Sequence, residues 1–430
     1  MYLKGSKWSM TKRRRRSRPF RVIFLAILVA GLVYVNQVVV PATPPPFIPT
    51  PTPTRSPESY VTDAEKLLNE GKFSQAIQAY EEAVRADPTN PSIFITLAKL
   101  NVYNGNYEEA AANAENALLL NSNNSMAHAI RGWALGFMGD YLLAEGAINT
   151  AIEQDPNNAA AYAYKAEILV LQDQTGTGTL GSMDNAIEAS RKAIELDPNL
   201  LETHRARGVV LEATGNYTEA AREFEIAVSM NGNISDLHLA LGRNYRFLQQ
   251  YDKAVEHFNR ANALNPTDPL PDTYISRTYA TIGEYATAIL FAQQAVKDDP
   301  ADPYLWGNLG QMLYKNVEYR NAKEALKLAV RGGLTPENVE VKGLPLDYGR
   351  VAEYYYTYGL GLARLGECGE ALQIAQLVQE GVPTDETAMY NAQEMINICS
   401  ELANSPATAT PLVEDETQAE ATPSAPDTEN

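Results

Sequence analysis

The segment PSIFITLAKLNVYNGNYEEAAANAENALLLNSNN, residues 91–124, decides the fold, because its pattern returns along most of the chain. Two helical stretches flank a turn at Gly105, and the pattern repeats about every 34 residues. Every copy keeps an alanine at one position of the second stretch. These alanines are Ala76, Ala110, Ala144, Ala186, Ala220, Ala254, Ala288, Ala322 and Ala371. Such a period, made only of helical stretches, predicts a stack of helix pairs and not a globular catalytic core.

Two further sets of small residues predict close packing between these helices. One set lies on the first helix of each copy and consists of Ala64, Ala98, Gly132, Ala166, Gly208, Gly242, Ser276, Gly310 and Gly359. The other follows the shared alanine on the second helix and consists of Ala83, Ala117, Ala151, Ala193, Ala227, Ala261, Ala295 and Ala329, with Val378 in the last copy. Small side chains let two helix axes approach to about 8 Å.

The order of small residue, glycine, tyrosine and two alanines, as in Gly208, Gly215, Tyr217, Ala220 and Ala227, resembles the tetratricopeptide repeat (TPR) family. The resemblance covers residues 58–402. It implies an all-α fold, a right-handed α-solenoid of about nine helix pairs. Residues 386–402 are predicted to form a helix that caps the exposed end of the stack.

The later copies depart from the pattern. Gln249 and Val317 replace the turn glycine, and a longer connection, residues 336–351, precedes the last copy. The chain has two cysteines, Cys368 just after the turn of the last copy and Cys399 near the end of the capping helix. Outside the cytoplasm, a disulfide between them would hold the terminal end together. Two unpaired buried thiols are the alternative.

The amino-terminal region has the composition of a membrane anchor. The first 21 residues contain nine basic residues and no acidic one, and the apolar run 22–40 follows. We therefore predict a basic cytoplasmic leader (1–19), a transmembrane signal-anchor helix (20–40) and a Pro/Thr-rich linker (41–57), with the repeats on the outer side of a bacterial cell membrane. The basic run could instead bind nucleic acid, and residues 38–42 offer a weak cleavage site. The length of the apolar run favours an uncleaved anchor.

The rest of the chain is strongly acidic. From Val22 onward there are 26 Lys and Arg against 53 Asp and Glu, a formal charge of −27. This charge excludes general binding of nucleic acid, because phosphate contacts need clustered cations. Residues 403–430 carry six acidic residues, no Lys or Arg and little to bury, so we predict a disordered acidic tail. A tail that binds a partner is the alternative.

No sequence motif supports catalysis, a cofactor or a metal site. The glycines of GTGTLG, residues 176–181, match a nucleotide-binding pattern. They follow a predicted helix (159–171) and not a strand, so we interpret them as a flexible insertion. His128, His204 and His238 share one position of the first helix and are interpreted as packed imidazoles. An enzyme fused to the repeats is a further alternative, but no segment outside the repeats is long enough to form a core.

The resemblance implies that the first helices line a concave groove that binds proteins or peptides. The positions that it assigns to ligand contact are Lys99, Tyr103, Trp133, Phe137, Arg205, Arg243, Arg246, Phe247, Arg277, Tyr304, Gln311, Tyr314, Lys315, Tyr356 and Arg364. Arg243, Arg246 and Arg277 are predicted to take a carboxylate of an extended peptide, and Trp133 and Phe137 its apolar side chains.

Two alternatives stay open at this point. The arginines could pair with Glu202, Glu212 or Asp236 on the same face of the groove. The expected function is that of a membrane-tethered, extracytoplasmic scaffold for protein–protein interactions. The alternative function is that of a non-catalytic accessory subunit in an envelope polysaccharide-biosynthesis or secretion complex. Direct binding of sugar chains would need exposed aromatics paired with amides, and is not favoured.

Overall fold

The computed structural model describes residues 19–39 and 55–404, and the chain divides into two units, one up to Ser56 and one from Pro57 onward. In the first unit, helix α1 (Pro19–Tyr34) continues into a π-helical segment, Val35–Val39. Residues 19–37 have a mean hydropathy of 2.0 and are long and apolar enough to cross a membrane, although a signal sequence has the same properties. The predicted leader, linker and acidic tail lie almost wholly outside the described residues.

The second unit consists of helix pairs, and the described residues from 57 to 404 contain nine of them, followed by one further helix. The first helices are α2 (Pro57–Asn69), α4 (Pro91–Tyr103), α6 (Ser125–Phe137), α8 (Ala159–Gln174), α10 (Leu201–Ala213), α12 (Ser235–Phe247), α14 (Pro269–Thr281), α16 (Pro303–Lys315) and α18 (Arg350–Arg364). The second helices are α3 (Phe73–Ala86), α5 (Tyr107–Leu120), α7 (Tyr141–Gln154), α9 (Ser182–Leu196), α11 (Tyr217–Met230), α13 (Tyr251–Leu264), α15 (Tyr285–Asp298), α17 (Tyr319–Arg331) and α19 (Cys368–Gly381). The last helix is α20 (Glu386–Asn404).

The small residues occupy the contacts between these helices, as predicted. All nine alanines of the shared position have no exposed surface. In the sixth pair, a Cβ atom added to Gly242 would lie 2.6 Å from a ring carbon of Phe258 on the partner helix. Each second helix also packs against the first helix of the next pair. The contacts confirm the predicted α-solenoid, in which each copy packs against its neighbours.

The turns inside the pairs require a left-handed backbone, which the turn glycines adopt. Gln249 and Val317, which replace the glycine in two copies, take the same conformation, with φ of 58° and 68°. A β-branched residue in this region costs about 1–2 kcal/mol. The flanking helices therefore determine the turn even where the sequence disfavours it.

The connection before the last pair contains a β-hairpin that the all-α prediction missed. Strands β1 (Gly332–Leu334) and β2 (Glu340–Lys342) pair antiparallel, with Gly333 opposite Val341. Val341 is buried, and the hairpin packs on the end of α17.

The last pair is joined to α20 by a disulfide. Cys368 begins α19 and bonds to Cys399 in α20, with 5.5 Å between their Cα atoms. α20 also packs on both helices of the last pair and buries Ala388, Ala392 and Met395 against them. The structure thus contains the disulfide that the positions of the two cysteines in the repeat pattern suggested.

The solenoid winds tightly enough for its first copies to touch its middle copies. The side-chain amide of Asn233, between the fifth and sixth pairs, donates to the carbonyl oxygens of Leu68 and Asn69 at the end of α2. Lys99 and Tyr103, both on α4, bond to the carboxylate of Glu202 on α10, at 3.1 and 3.0 Å. The concave face of the amino-terminal copies is therefore closed by contacts within the chain.

Candidate functional site

The closed part of the concave face contains several residues that the sequence assigned to ligand binding. Trp133 has no exposed surface, its ring stacks on Tyr164 at a centroid distance of 4.2 Å, and its N–H donates to Glu167 at 2.7 Å. The prediction that Trp133 takes apolar side chains of a partner is therefore wrong, because the face that it lines is filled by the chain itself. Phe137 lies at the edge of this region, half-buried and stacked on Tyr107.

Arg205 is also an internal residue, with 6% of its surface exposed. Its guanidinium pairs with Glu167, bonds to Asp236 at 2.7 Å and lies over the ring of Trp133. Burial raises the pKa of Glu167, and the charge of Arg205 offsets part of that rise. Together with Lys99 and Tyr103, which hold Glu202, Arg205 is thus committed to contacts inside the solenoid.

Beyond this closed region the groove is open, from the end of the third pair to the ninth pair. A cavity of about 660 Å³ is bounded by Phe137 and Arg205 at one end and by Arg277 and Arg350 at the other. A second cavity of about 470 Å³ continues towards the last helix and includes Tyr314, Lys315 and Asn391. Both cavities therefore lie mainly in the carboxyl-terminal half of the groove.

Arg243 lies in the open half but has a partner. Its Nε and one terminal nitrogen donate to the two carboxylate oxygens of Glu212, at 2.9 and 3.0 Å. Such a two-pronged pair satisfies both groups. Arg243 and Arg205 therefore pair with carboxylates of the same face, which is the alternative that the sequence left open. Arg246 and Arg277 have no such partner among the described residues.

Arg246, Arg277 and Arg350, hereafter the arginine cluster, line both cavities together. Arg246 has a buried Nε with no hydrogen-bond partner among the described residues. Arg277 donates from its Nε to the neutral amide oxygen of Asn308 at 3.1 Å. Within the part of the chain that the structure describes, the one carboxylate within salt-bridge distance of the cluster is Glu353, 3.6 Å from Arg350.

The cluster is electrostatically unfavourable as it stands. Burial lowers the pKa of Arg277, and the positive charges of Arg350 and Arg246 lower it further. Burial is also the main cause of the lowered pKa of Arg246, with Arg350 again contributing. Arginine stays protonated at neutral pH, so these groups carry uncompensated positive charge in a protein that is otherwise acidic. An anion bound among them would relieve both the repulsion and the unpaired donor.

Arg350 is the residue of this site that sequence reasoning missed. It begins α18, directly after the irregular connection that carries the β-hairpin, and so falls outside the repeat register. The register assigned Tyr356 and Arg364 of the same copy instead. The sequence did contain one signal for it, because Arg350 is a basic residue that begins a helix rich in tyrosines.

The other assigned positions flank the cluster. Phe247 is half exposed and its ring stacks on Tyr217 at a centroid distance of 4.4 Å. Tyr304 is partly exposed on α16, where Gln311, Tyr314 and Lys315 line the second cavity. These side chains offer apolar and hydrogen-bonding surface on either side of the positive charge.

The histidines and the glycine-rich segment do not belong to this site. Nε2 of His128, His204 and His238 each contacts a backbone carbonyl oxygen six residues earlier, and Trp306 bonds to the corresponding carbonyl in its own copy. The shared position is thus a structural one. The segment 176–181 joins two helices, α8 and α9, and α8 extends to Gln174, past its predicted end at Leu171.

A stack of paired helices with an open groove is the architecture of a scaffold for protein–protein interaction. Comparison with protein families agrees, since models described as tetratricopeptide repeat match residues 67–134, 131–200 and 235–268. Residues 67–200 and 235–268 of the chain therefore match tetratricopeptide repeats.

A curated relative and several solved structures resemble parts of the chain. A tetratricopeptide repeat and J domain-containing co-chaperone of Cryptococcus neoformans var. grubii is 27% identical over 152 residues, which are 34% of this chain and 29% of that protein. A tetratricopeptide repeat protein from Parabacteroides merdae is 16% identical and covers 60% of this chain and 98% of its own, with a TM-score of 0.38. PilW, a widely conserved type IV pilus biogenesis factor, is 19% identical and covers 47% of this chain and 91% of its own, with a TM-score of 0.42.

Proposed function

We propose that this protein is a membrane-tethered, extracytoplasmic scaffold that holds an extended, acidic segment of a partner protein in the open half of its groove. The observation that carries the proposal is the arginine cluster, whose charge the described residues leave largely uncompensated. Carboxylates of a peptide would pair with the guanidinium groups. Phe247 and Tyr314, on either side, would take its apolar or hydrogen-bonding side chains.

The cluster is tested by removing two of its charges. We expect Arg246→Gln with Arg277→Gln to weaken binding of a labelled peptide with three adjacent acidic residues by at least tenfold, because each charge-assisted bond contributes about 1.5–3 kcal/mol. Fluorescence anisotropy measures the affinity, and circular dichroism checks that the stack stays folded.

A matched control removes the same charge from the outer helices. Arg222 on α11 and Arg320 on α17 are exposed, so Arg222→Gln with Arg320→Gln changes the net charge equally without touching the groove. This variant should bind as the wild type does. Equal weakening in both variants would mean that only net charge matters, and unchanged affinity in the first would discard the groove proposal.

The tether and its orientation are a separate part of the proposal. Eight basic residues precede the apolar helix α1 in the sequence, and this excess of positive charge on its amino-terminal side supports an anchor with the repeats outside the cytoplasm. We expect protease added to intact cells to degrade the repeat unit. A cytoplasmic marker protein should survive the same treatment. Protection of the repeats until the cells are lysed would place them in the cytoplasm.

A further inference from the structure

We propose that the chain's own acidic segment Glu414–Asp415–Glu416 occupies the arginine cluster and competes with the partner for it. The inference rests on the proposed function, since it names a regulator of the same groove. It starts from an imbalance: three guanidinium groups face one cavity system, and Glu353 is the one described carboxylate within salt-bridge distance of them. The sequence also holds a run of three adjacent acidic residues at positions 414–416.

The position of the last helix makes the contact reachable. Asn391 of α20 lines the second cavity together with all three arginines of the cluster. From Asn391 to the end of α20 at Asn404 the helix rises about 20 Å. The ten residues from there to Glu414 extend up to about 33 Å. The chain can therefore leave the end of α20, turn back and bring residues 414–416 to the cluster.

The pattern of charge selects this segment over the rest of the tail. Glu420, Asp427 and Glu429 are separated by uncharged residues, so they present single carboxylates. The cluster offers several donors within one groove, including the unpaired Nε of Arg246, and three adjacent acids match it best. Because the segment is tethered, its effective concentration at the groove is of millimolar order. A partner must displace it.

Competition is measured on the full chain with two tail variants of equal charge. The first carries Glu414→Gln, Asp415→Asn and Glu416→Gln, and the second carries Glu420→Gln, Asp427→Asn and Glu429→Gln. The labelled acidic peptide described above is the probe. We expect the first variant to bind it about tenfold more tightly than the wild type, and the second to bind it as the wild type does.

The outcomes separate the two proposals. If the wild type and both variants bind the peptide equally, the tail does not occupy the groove, although the groove still binds acidic peptides. If none of them binds, the proposed function itself fails. If both variants gain the same affinity for the peptide, the tail acts through its net charge, and the assignment to residues 414–416 is overturned.

A direct test uses a photoreactive residue at Val413 of the full chain. We expect crosslinks to peptides of α12, α14 or α18 within the same molecule, and their loss in the Arg246→Gln and Arg277→Gln variant. Crosslinks confined to other surfaces, or to a second molecule, would overturn the intramolecular contact. High salt should also reduce the crosslinks, since exposed charge pairs are screened.

Discussion

Replacing Arg205 by methionine is expected to lower the free energy of unfolding by about 3–5 kcal/mol, the usual cost of leaving one member of a buried ion pair alone. Methionine keeps much of the volume of the arginine stem, so the loss comes mainly from charge. Glu167, whose side chain is 3% exposed, would lose its cation, whereas Asp236 is exposed enough to be hydrated. Chemical denaturation followed by circular dichroism measures the change.

A second substitution tells whether the buried charge is the cause. In the Arg205→Met background, Glu167→Gln removes that charge and keeps an oxygen to accept the N–H of Trp133. This double variant should recover most of the lost stability. If the single variant loses less than about 1 kcal/mol, or if the second substitution adds to the loss, the ion pair does not hold the closed part of the groove together.

The pH dependence of the same variant follows from the direction of the pKa shift. Burial already raises the pKa of Glu167, and removal of Arg205 takes away the charge that opposes the rise. The native state of Arg205→Met then binds a proton at a higher pH than the unfolded state does. Since stability falls with rising pH when the native state holds more protons, the deficit of the variant should shrink as the pH is lowered from about 7 to 5.

The fold could be predicted from the sequence because it depends on local rules. Small residues such as Gly242 and Ala254 recur in register, and each meets a neighbouring helix in the structure. Nearest-neighbour packing of this kind follows from the repeat itself. The β-hairpin at residues 332–342 escaped prediction because it lies in a connection that no repeat pattern describes.

The site was predicted less well, because it depends on contacts between distant copies. The register places Trp133 on the concave face, and it is there, but contacts such as the bond between Lys99 and Glu202 close that face. These two residues are 103 positions apart, and their meeting is set by the curvature of the whole stack. Sequence alone therefore indicated the correct helix face for Arg246 and Arg277, without showing which half of the groove is open.

The disulfide should stabilise the end of the stack more than any other single feature of the last pair. It closes a loop with a sequence separation of 31, for which chain entropy predicts about 3–4 kcal/mol. Apart from the disulfide, α20 is held by few large buried side chains. Ala388 and Ala392 are small, and the large ones are Met395 and Ile398. We therefore expect reduction to increase amide hydrogen exchange in α19 and α20 by a factor of about 100 or more, with α4 to α10 unaffected.

Reduction of the wild type is a better experiment than substitution alone, because it breaks the bond and leaves both side chains in place. Cys399 is 5% exposed, so serine there would bury a hydroxyl and confound the loss of the bond with its desolvation. The double variant Cys368→Ala and Cys399→Ala is the matched control. If its exchange rates equal those of the reduced protein, and reduction no longer affects it, the bond itself holds the cap. If reduction leaves exchange in α20 unchanged, the helix is held by packing, and the last pair needs no covalent link.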